Sequence, residues 1–222
     1  MKRRDVTAAL LGAGLLPAAG AATSEADAAT GVRAALERGA LAAVAKLGKT
    51  GGFLDNPKVR IPLPGHLKDA AKLMRRLGQG KRVDELETAM NRAAEAAVPE
   101  AKTLFVSTVK NISVEDALKL VKGGDTAVTD FFSAKTRAPL GEKFLPIVTK
   151  ATEKVKLADS YNRVAAKAAD AGLVKGDEAN VQKHVTNKAL DGLFTLIGEE
   201  EKAIRADPVK TGSAILRKVF GG

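Results

Sequence analysis

The chain has 222 residues, of which 45 % are hydrophobic, 4 % are aromatic and 28 % are charged, with a formal net charge of +10 at pH 7 and no cysteine. This composition excludes a disulfide framework, a low-complexity polymer and a membrane bundle, and the scarcity of aromatic residues disfavours a β-sandwich. We therefore expect one all-α domain. Its basic charge favours anionic surfaces as partners, although a soluble domain with solvated Lys and Arg side chains is the simpler interpretation.

Residues 1–21 have the features of an export signal. A basic start at Lys2-Arg3-Arg4 precedes a short apolar run, and Ala19-Gly20-Ala21 fits a cleavage site. The paired arginines also fit a twin-arginine signal, so this route and the general secretory route both stay open. The apolar run is too short to remain as a membrane anchor. We expect a periplasmic protein cleaved near Ala21, with a net charge of +8 once three cations and one anion are removed.

After the signal, residues 22–30 are small and polar and are predicted to form a flexible lead-in to a single helical domain over residues 31–222. The first helix of this domain is predicted to end near Gly48. Residues 51–64 contain three prolines, which exclude a helix or a central strand, yet the segment is too apolar for a free loop. We expect an extended strap lying across helices, and a lid over a pocket is the alternative.

The middle of the chain alternates helical patterns with stop signals. Residues 66–77 form a basic amphipathic pattern, with Leu67, Ala70, Ala71, Met74 and Leu77 predicted to face inward and Lys68, Lys72, Arg75 and Arg76 outward. A helix from Arg82 is predicted to end before Pro99, where another begins. Ser113 has the side chain of an N-cap. A helix capped by Asp125 or Thr126 is predicted next, and a separate helix is predicted to begin at Pro139 and to be bent or divided by Pro146.

The C-terminal stretch from His184 to Phe220 shows the clearest pattern and is predicted to be the centre of stability. Apolar residues recur at helical spacing from Val185 to Ile204, which indicates a deeply buried helix. Asp207-Pro208 is then a predicted N-cap and first turn of a last helix. Altogether we predict an irregular bundle of about nine or ten helices.

Three segments of the chain carry a family resemblance: MNRAAEAAVPEAK, DTAVTDFFSAKT and KALDGLFTLIGEEEKAIRADPVKTGSAILRKVFG. In order and wording they resemble the bacterial envelope family catalogued as domain of unknown function 4197. The resemblance implies an exported, all-helical protein without an assigned activity, and it transfers no catalytic residue. Members of that family often have a lipid-modified cysteine after the signal, which this chain lacks.

The sequence lacks the residue patterns of metal, cofactor and nucleic-acid sites. The only histidines are His66 and His184, and without cysteine no transition-metal set is expected. The run Glu199-Glu200-Glu201 contains three carboxylates, but consecutive helical residues point in different directions, so a solvated face is predicted. No phosphate-binding loop or nucleophile motif occurs, and no cofactor is expected. Nucleic acid is disfavoured because few aromatic side chains are present for base stacking.

One set of polar residues lies close to faces that we expect to be buried, and such groups need partners. The set comprises Asn91, Arg92, Glu95, Asp130, Thr136, Asp191, Glu200 and Arg205. The favoured interpretation is a network that ties helices together, for example Arg92 or Arg205 paired with Glu95 or Asp191. The alternative is a polar pocket for a small ligand.

The sequence thus favours a non-catalytic envelope accessory that binds a ligand or an anionic surface of lipid or glycan. The alternative from another class is a hydrolase that uses Glu95 or Asp191 in a polar pocket.

Overall fold

The computed structural model describes residues 25–170 and 180–207, and within these two ranges the chain is helical with no β-strand. The all-α fold class is therefore confirmed for the described residues. The α-helices are α1 (Glu25–Leu47), α2 (Lys68–Arg76), α3 (Gly80–Ala97), α4 (Ala101–Lys110), α5 (Val114–Val121), α6 (Ala127–Thr152), α7 (Lys156–Asp170) and α8 (Val181–Ala206). Short 3-10 turns occupy Gly65–Leu67 and Val98–Glu100.

Helix α8 lies at the centre of the described bundle and packs against α1, α3 and α6. Its N-cap is Asn180, whose side chain accepts a hydrogen bond from the backbone N–H of Lys183. Its apolar stripe is buried as the sequence predicted: Val185, Ala189, Leu193, Ile197 and Ile204 are each at most 4 % exposed. Asp207 ends the helix, and the last predicted helix, from Pro208, lies outside the described residues.

Helix α6 is continuous from Ala127 to Thr152 and contains both Pro139 and Pro146. The prediction that Pro139 opens a separate helix was therefore wrong. A proline inside a helix costs about 3 kcal/mol because it removes a hydrogen bond and crowds the preceding turn. The same helix completely buries large side chains, each worth about 1.5–3 kcal/mol, and this burial outweighs the penalty. The fully buried side chains are Phe132, Leu140, Phe144 and Val148.

The described ranges contain fewer helices than the nine or ten predicted, because α6 merges two of them and one lies beyond Asp207. Two boundaries also differ from prediction. Helix α1 begins at Glu25, inside the predicted flexible lead-in, and Ala29 is buried. Pro99 lies within the short 3-10 turn, and α4 begins only at Ala101. The Ser113 cap is confirmed, since its hydroxyl accepts from the N–H of Asp116 at 3.0 Å.

Residues 51–64, which we call the strap, link α1 to the first 3-10 turn without regular secondary structure. Their apolar side chains are packed into the core, with Phe53, Ile61 and Leu63 no more than 6 % exposed. The strap approaches α8 at Gly192, where a Cβ atom would come within 2.9 Å of the Phe53 ring. Gly192 is unfavourable inside a helix, but here only glycine leaves room for the strap.

Candidate functional site

Glu95 on α3 holds the beginning of the strap. It is 4 % exposed, and its Oε1 atom accepts hydrogen bonds from the backbone N–H groups of Phe53 at 3.0 Å and Leu54 at 3.1 Å. The other carboxylate oxygen, Oε2, accepts from Arg92 at 2.6 Å. Both carboxylate oxygens of Glu95 therefore have hydrogen-bond partners. The two backbone N–H groups of the strap need such an acceptor, because they have no partner in a helix or a sheet.

The same contacts set the protonation of Glu95. Burial alone would raise the pKa of this carboxyl, but the Arg92 guanidinium and the backbone N–H groups of Leu54, Phe53 and Gly51 outweigh it and leave the pKa below the ordinary value of 4.5. Glu95 is therefore ionised at neutral pH. A hydrolase would instead need an acid or base that is free to exchange a proton.

Asn91, one helical turn before Glu95, holds the end of the strap. Its Oδ1 accepts from the N–H of Ile61 at 2.8 Å, and its Nδ2 donates to the carbonyl of Ile61 at 3.0 Å and to that of Glu87 at 2.8 Å. The amide thereby pairs with the strap as a neighbouring β-strand would. Because Asn91 is 0 % exposed, these bonds also satisfy a polar group that would otherwise be costly to bury.

A second Arg–Glu pair holds the start of α6. Glu201 on α8 accepts from the backbone N–H of Val128 at 3.2 Å and from the backbone N–H and hydroxyl of Thr129 at 2.8 and 2.7 Å. Arg205 donates to Glu201 at 3.0 Å and to the carbonyl of Leu120 at 3.0 Å. A carboxylate at a helix N-terminus satisfies free N–H groups and the helix dipole together.

The set of eight predicted polar residues contained Glu200 and not Glu201. Glu200 is partly exposed and pairs with Lys46, and Glu199 pairs with Lys58, so the three consecutive glutamates do point in different directions. The prediction of a solvated face was nevertheless wrong for Glu201, which is 5 % exposed. A signal was present: Glu201 follows Ile197 by one helical turn and precedes Ile204 by three residues, which places it on the buried stripe.

The remaining predicted residues lie apart from one another. Asp191 is paired with Arg137 at 2.6 Å and Lys188 at 3.2 Å. Thr136 is buried and donates to the carbonyl of Phe132 within α6. Asp130 is exposed and accepts from Thr126.

The eight predicted polar residues therefore do not converge on one pocket. Arg92 and Glu95 form a pair as predicted, whereas Arg205 pairs with Glu201, and Arg137 takes the place of the predicted partners of Asp191. Asn91 and Glu95, the latter paired with Arg92, fix the strap to α3. Arg205 supports Glu201, which fixes the start of α6 to α8.

A different surface shows an exposed amphipathic pattern. On α2, the cations Lys68, Lys72 and Arg76 are exposed, and Arg75 pairs with Asp84 and Glu87. Leu73 is 57 % exposed, and Leu77, just after the helix, is 67 % exposed. The prediction that Ala70 and Leu77 face inward was wrong, since both are exposed. Of the predicted inward residues, Ala71 is buried, and Leu67 and Met74 are partly buried. We call this surface the α2 face.

Two adjoining cavities lie beside the α2 face. One has a volume of about 210 Å³ and apolar walls contributed by the strap, α2, α3 and α7. The other is an open cleft of about 980 Å³ between α3 and α7, with charged walls. Leu157 and Ser160 line both cavities. None of the eight predicted polar residues lines either one.

Among the described residues, no group of three or more His, Asp or Glu side chains is arranged to hold a metal ion. None of the described helices is both long enough and apolar enough to cross a bilayer.

The sequence profile of a family described as "Protein of unknown function (DUF4197)" matches residues 22–221. The match covers nearly the whole chain, so the protein belongs to this family, as the three quoted segments indicated. No curated protein and no solved structure gives a significant match.

Proposed function

We propose that this protein is an exported, periplasmic, non-catalytic accessory of the bacterial envelope that binds an anionic lipid surface through its α2 face. The observation that carries the proposal is the exposure of Leu73 and Leu77 next to Lys68, Lys72 and Arg76. An exposed apolar strip bordered by cations is the pattern of a helix that lies in a membrane interface, with its apolar side chains inserted and its charges at the headgroups.

Two further points support this proposal. The export signal predicted over residues 1–21 would bring the chain to the envelope, where anionic lipid headgroups are present. The net charge of +10, or +8 after cleavage, would favour encounter with such surfaces. The alternative, a hydrolase using Glu95 or Asp191, has less support because both carboxylates are already paired with arginine.

The test is co-sedimentation of the protein, lacking residues 1–21, with vesicles of phosphatidylglycerol or of phosphatidylcholine. Binding should be confined to the anionic vesicles and should weaken steeply with salt, because exposed charges are screened over about 8 Å at physiological ionic strength.

A charge reversal on the α2 face, Lys72→Glu with Arg76→Glu, should abolish this binding. The matched control is Lys102→Glu with Lys110→Glu on α4, which changes two exposed lysines and alters the net charge by the same amount. Equal loss in both double variants would show that only overall charge matters, and the α2 face would then not be the binding surface.

A further inference from the structure

We infer that the two adjoining cavities between α2, α3 and α7 form a site for a single-chain anionic amphiphile, such as a fatty acid. The alkyl chain would occupy the apolar cavity and the head group would lie in the charged cleft. This site is separate from the α2 face and does not depend on vesicle binding.

The apolar cavity has the chemistry of an alkyl-chain site. Its walls are formed almost wholly by hydrocarbon from the strap, the first 3-10 turn, α2, α3 and α7. The lining residues include Leu63, Leu67, Met74, Val83, Leu86 and Leu157. A water molecule there would lack the two to four polar partners that ordered waters need, whereas methylene groups would gain contacts and leave water. A volume of about 210 Å³ accepts one chain segment and is smaller than the roughly 300 Å³ at which pockets for larger ligands begin.

The charged cleft supplies the preference for an anion. Lys81, Arg82 and Lys154 line it and are exposed. The walls also contain two acidic residues, of which Asp84 is already paired with Arg75. Glu85 is then the one carboxylate in these walls to balance the three cations. Neither Lys81 nor Lys154 has an ion-pair partner among the described side chains. A carboxylate or phosphate in the cleft would therefore meet an excess of positive charge.

The two cavities share part of their walls, as one amphipathic site requires. Leu157 and Ser160, three residues apart on α7, contribute to both walls, so the apolar cavity and the cleft meet along one side of this helix. A ligand with an apolar tail and an anionic head satisfies both parts at once. A purely apolar ligand would leave the cations without a partner, and a small anion would leave the cavity unfilled.

The first experiment is isothermal titration of the protein with octanoate, decanoate and dodecanoate below their micelle concentrations, without vesicles. Affinity should rise about fourfold for each added methylene until the cavity is full, which is the gain expected from burying one CH₂ group. Ala70→Phe should abolish binding, because Ala70 lines the cavity yet is solvent-exposed and tolerates a larger side chain. Ala45→Phe, at an exposed alanine of α1, is the matched control and should bind as the wild type does.

The second experiment tests the head group. Lys81→Ala with Lys154→Ala should weaken decanoate binding about twofold to thirtyfold, the range for two exposed charge pairs, and should leave the binding of uncharged decyl glucoside unchanged. Decanoyl lysophosphatidylglycerol, titrated in parallel, separates the two sources of such a ligand. Tighter binding of either probe supports the site and indicates whether a free fatty acid or a lipid of the bilayer is its ligand.

Affinity that does not change with chain length, or Ala70→Phe that binds decanoate as well as Ala45→Phe does, would overturn the inference. A second result would also overturn the inference: none of the probes binds, and the protein forms a dimer that Ala70→Phe dissociates. The cavity would then be occupied by a second copy of the chain. The variant Lys72→Glu with Arg76→Glu should bind decanoate normally, so failure of the α2 face and failure of this site can be told apart.

Discussion

Two side chains of α3, Asn91 and Glu95, replace the secondary structure that the strap lacks. The prolines of the strap prevent it from joining a helix or a sheet, yet its apolar residues must be buried, and their backbone groups are buried with them. A carboxamide supplies one donor and one acceptor to Ile61, and a carboxylate accepts from Phe53 and Leu54. Polar residues inside the bundle thus allow an irregular segment to be part of the core.

The substitution Glu95→Gln tests whether the charge of Glu95 stabilises the strap. At neutral pH the variant should be less stable by about 1.5–3 kcal/mol, since the hydrogen bonds to a charged acceptor are lost or weakened. Because the folded pKa lies below 4.5, the stabilisation by Glu95 is complete above pH 4.5 and is lost as the pH falls through the folded pKa. The gap between wild type and variant should therefore close on acidification. Urea unfolding at a series of pH values measures it.

Glu85→Gln is the control for this prediction, because Glu85 is exposed on the same helix. It should leave stability within about 0.5 kcal/mol of the wild type at every pH. A Glu95→Gln gap that stayed constant down to pH 3 would show that the charge of Glu95 does not stabilise the strap.

The sequence predicted that Asn91 and Glu95 need partners but did not identify those partners. The two residues lie one turn apart beside an apolar face, which is a local signal. Their partners, Ile61 and Phe53, are 30 and 42 residues away along the chain, and they are backbone groups that carry no mark in the sequence. Only the packing of the strap on α3 brings these groups together. The sequence therefore predicted the side chains of α3 in this contact but not the backbone groups of the strap.

At the scale of elements, α6 shows where local rules fail. Pro139 was predicted to open a separate helix and Pro146 to bend or divide that helix. Instead α6 is continuous, because its apolar face is buried against its neighbours. Its start is fixed from outside the helix. The Thr126 side chain makes no capping hydrogen bond, and the first free N–H groups are bound by Glu201 of α8 instead. Capping from a distant helix leaves no pattern next to the helix that it caps.

The prediction for this element compares two adjacent glutamates. Glu201→Gln should destabilise the protein by about 1–3 kcal/mol, because a buried carboxylate that binds both Arg205 and the start of α6 is replaced by a neutral amide. Glu200→Gln should cost no more than about 1 kcal/mol, since its partner Lys46 is exposed and Glu200 itself is partly exposed. Thermal unfolding followed by circular dichroism gives both values. Equal effects of the two changes would contradict the assignment of Glu201 as the cap of α6.

At the scale of the molecule, α8 organises the described bundle as the sequence indicated. Its apolar spacing was sustained over more than five turns, long enough for periodicity alone to identify a central helix. What the sequence could not show was which helices surround it, since α1, α3 and α6 contribute similar apolar stripes. The packing of elements against α8 depends on shape and close approach, and Gly192, which faces Phe53 of the strap, is an example.

The central position of α8 gives the last prediction. Leu193→Ala should cost about 2–5 kcal/mol, because Leu193 is 0 % exposed and its truncation leaves a cavity. Leu73→Ala is the matched change on the surface, at a residue that is 57 % exposed, and should stay within about 0.5 kcal/mol. Chemical denaturation compares the two. Similar midpoints for both variants would mean that α8 is not the centre of the folding unit.

The wall of the apolar cavity includes Tyr161, which is the only tyrosine in a chain without tryptophan. At wavelengths where phenylalanine does not absorb, the absorption and the fluorescence of the whole protein therefore come from one side chain. This side chain is 4 % exposed at the place where we infer that an alkyl chain enters. The molecule carries its own spectroscopic reporter of that cavity, and no label needs to be attached to observe it.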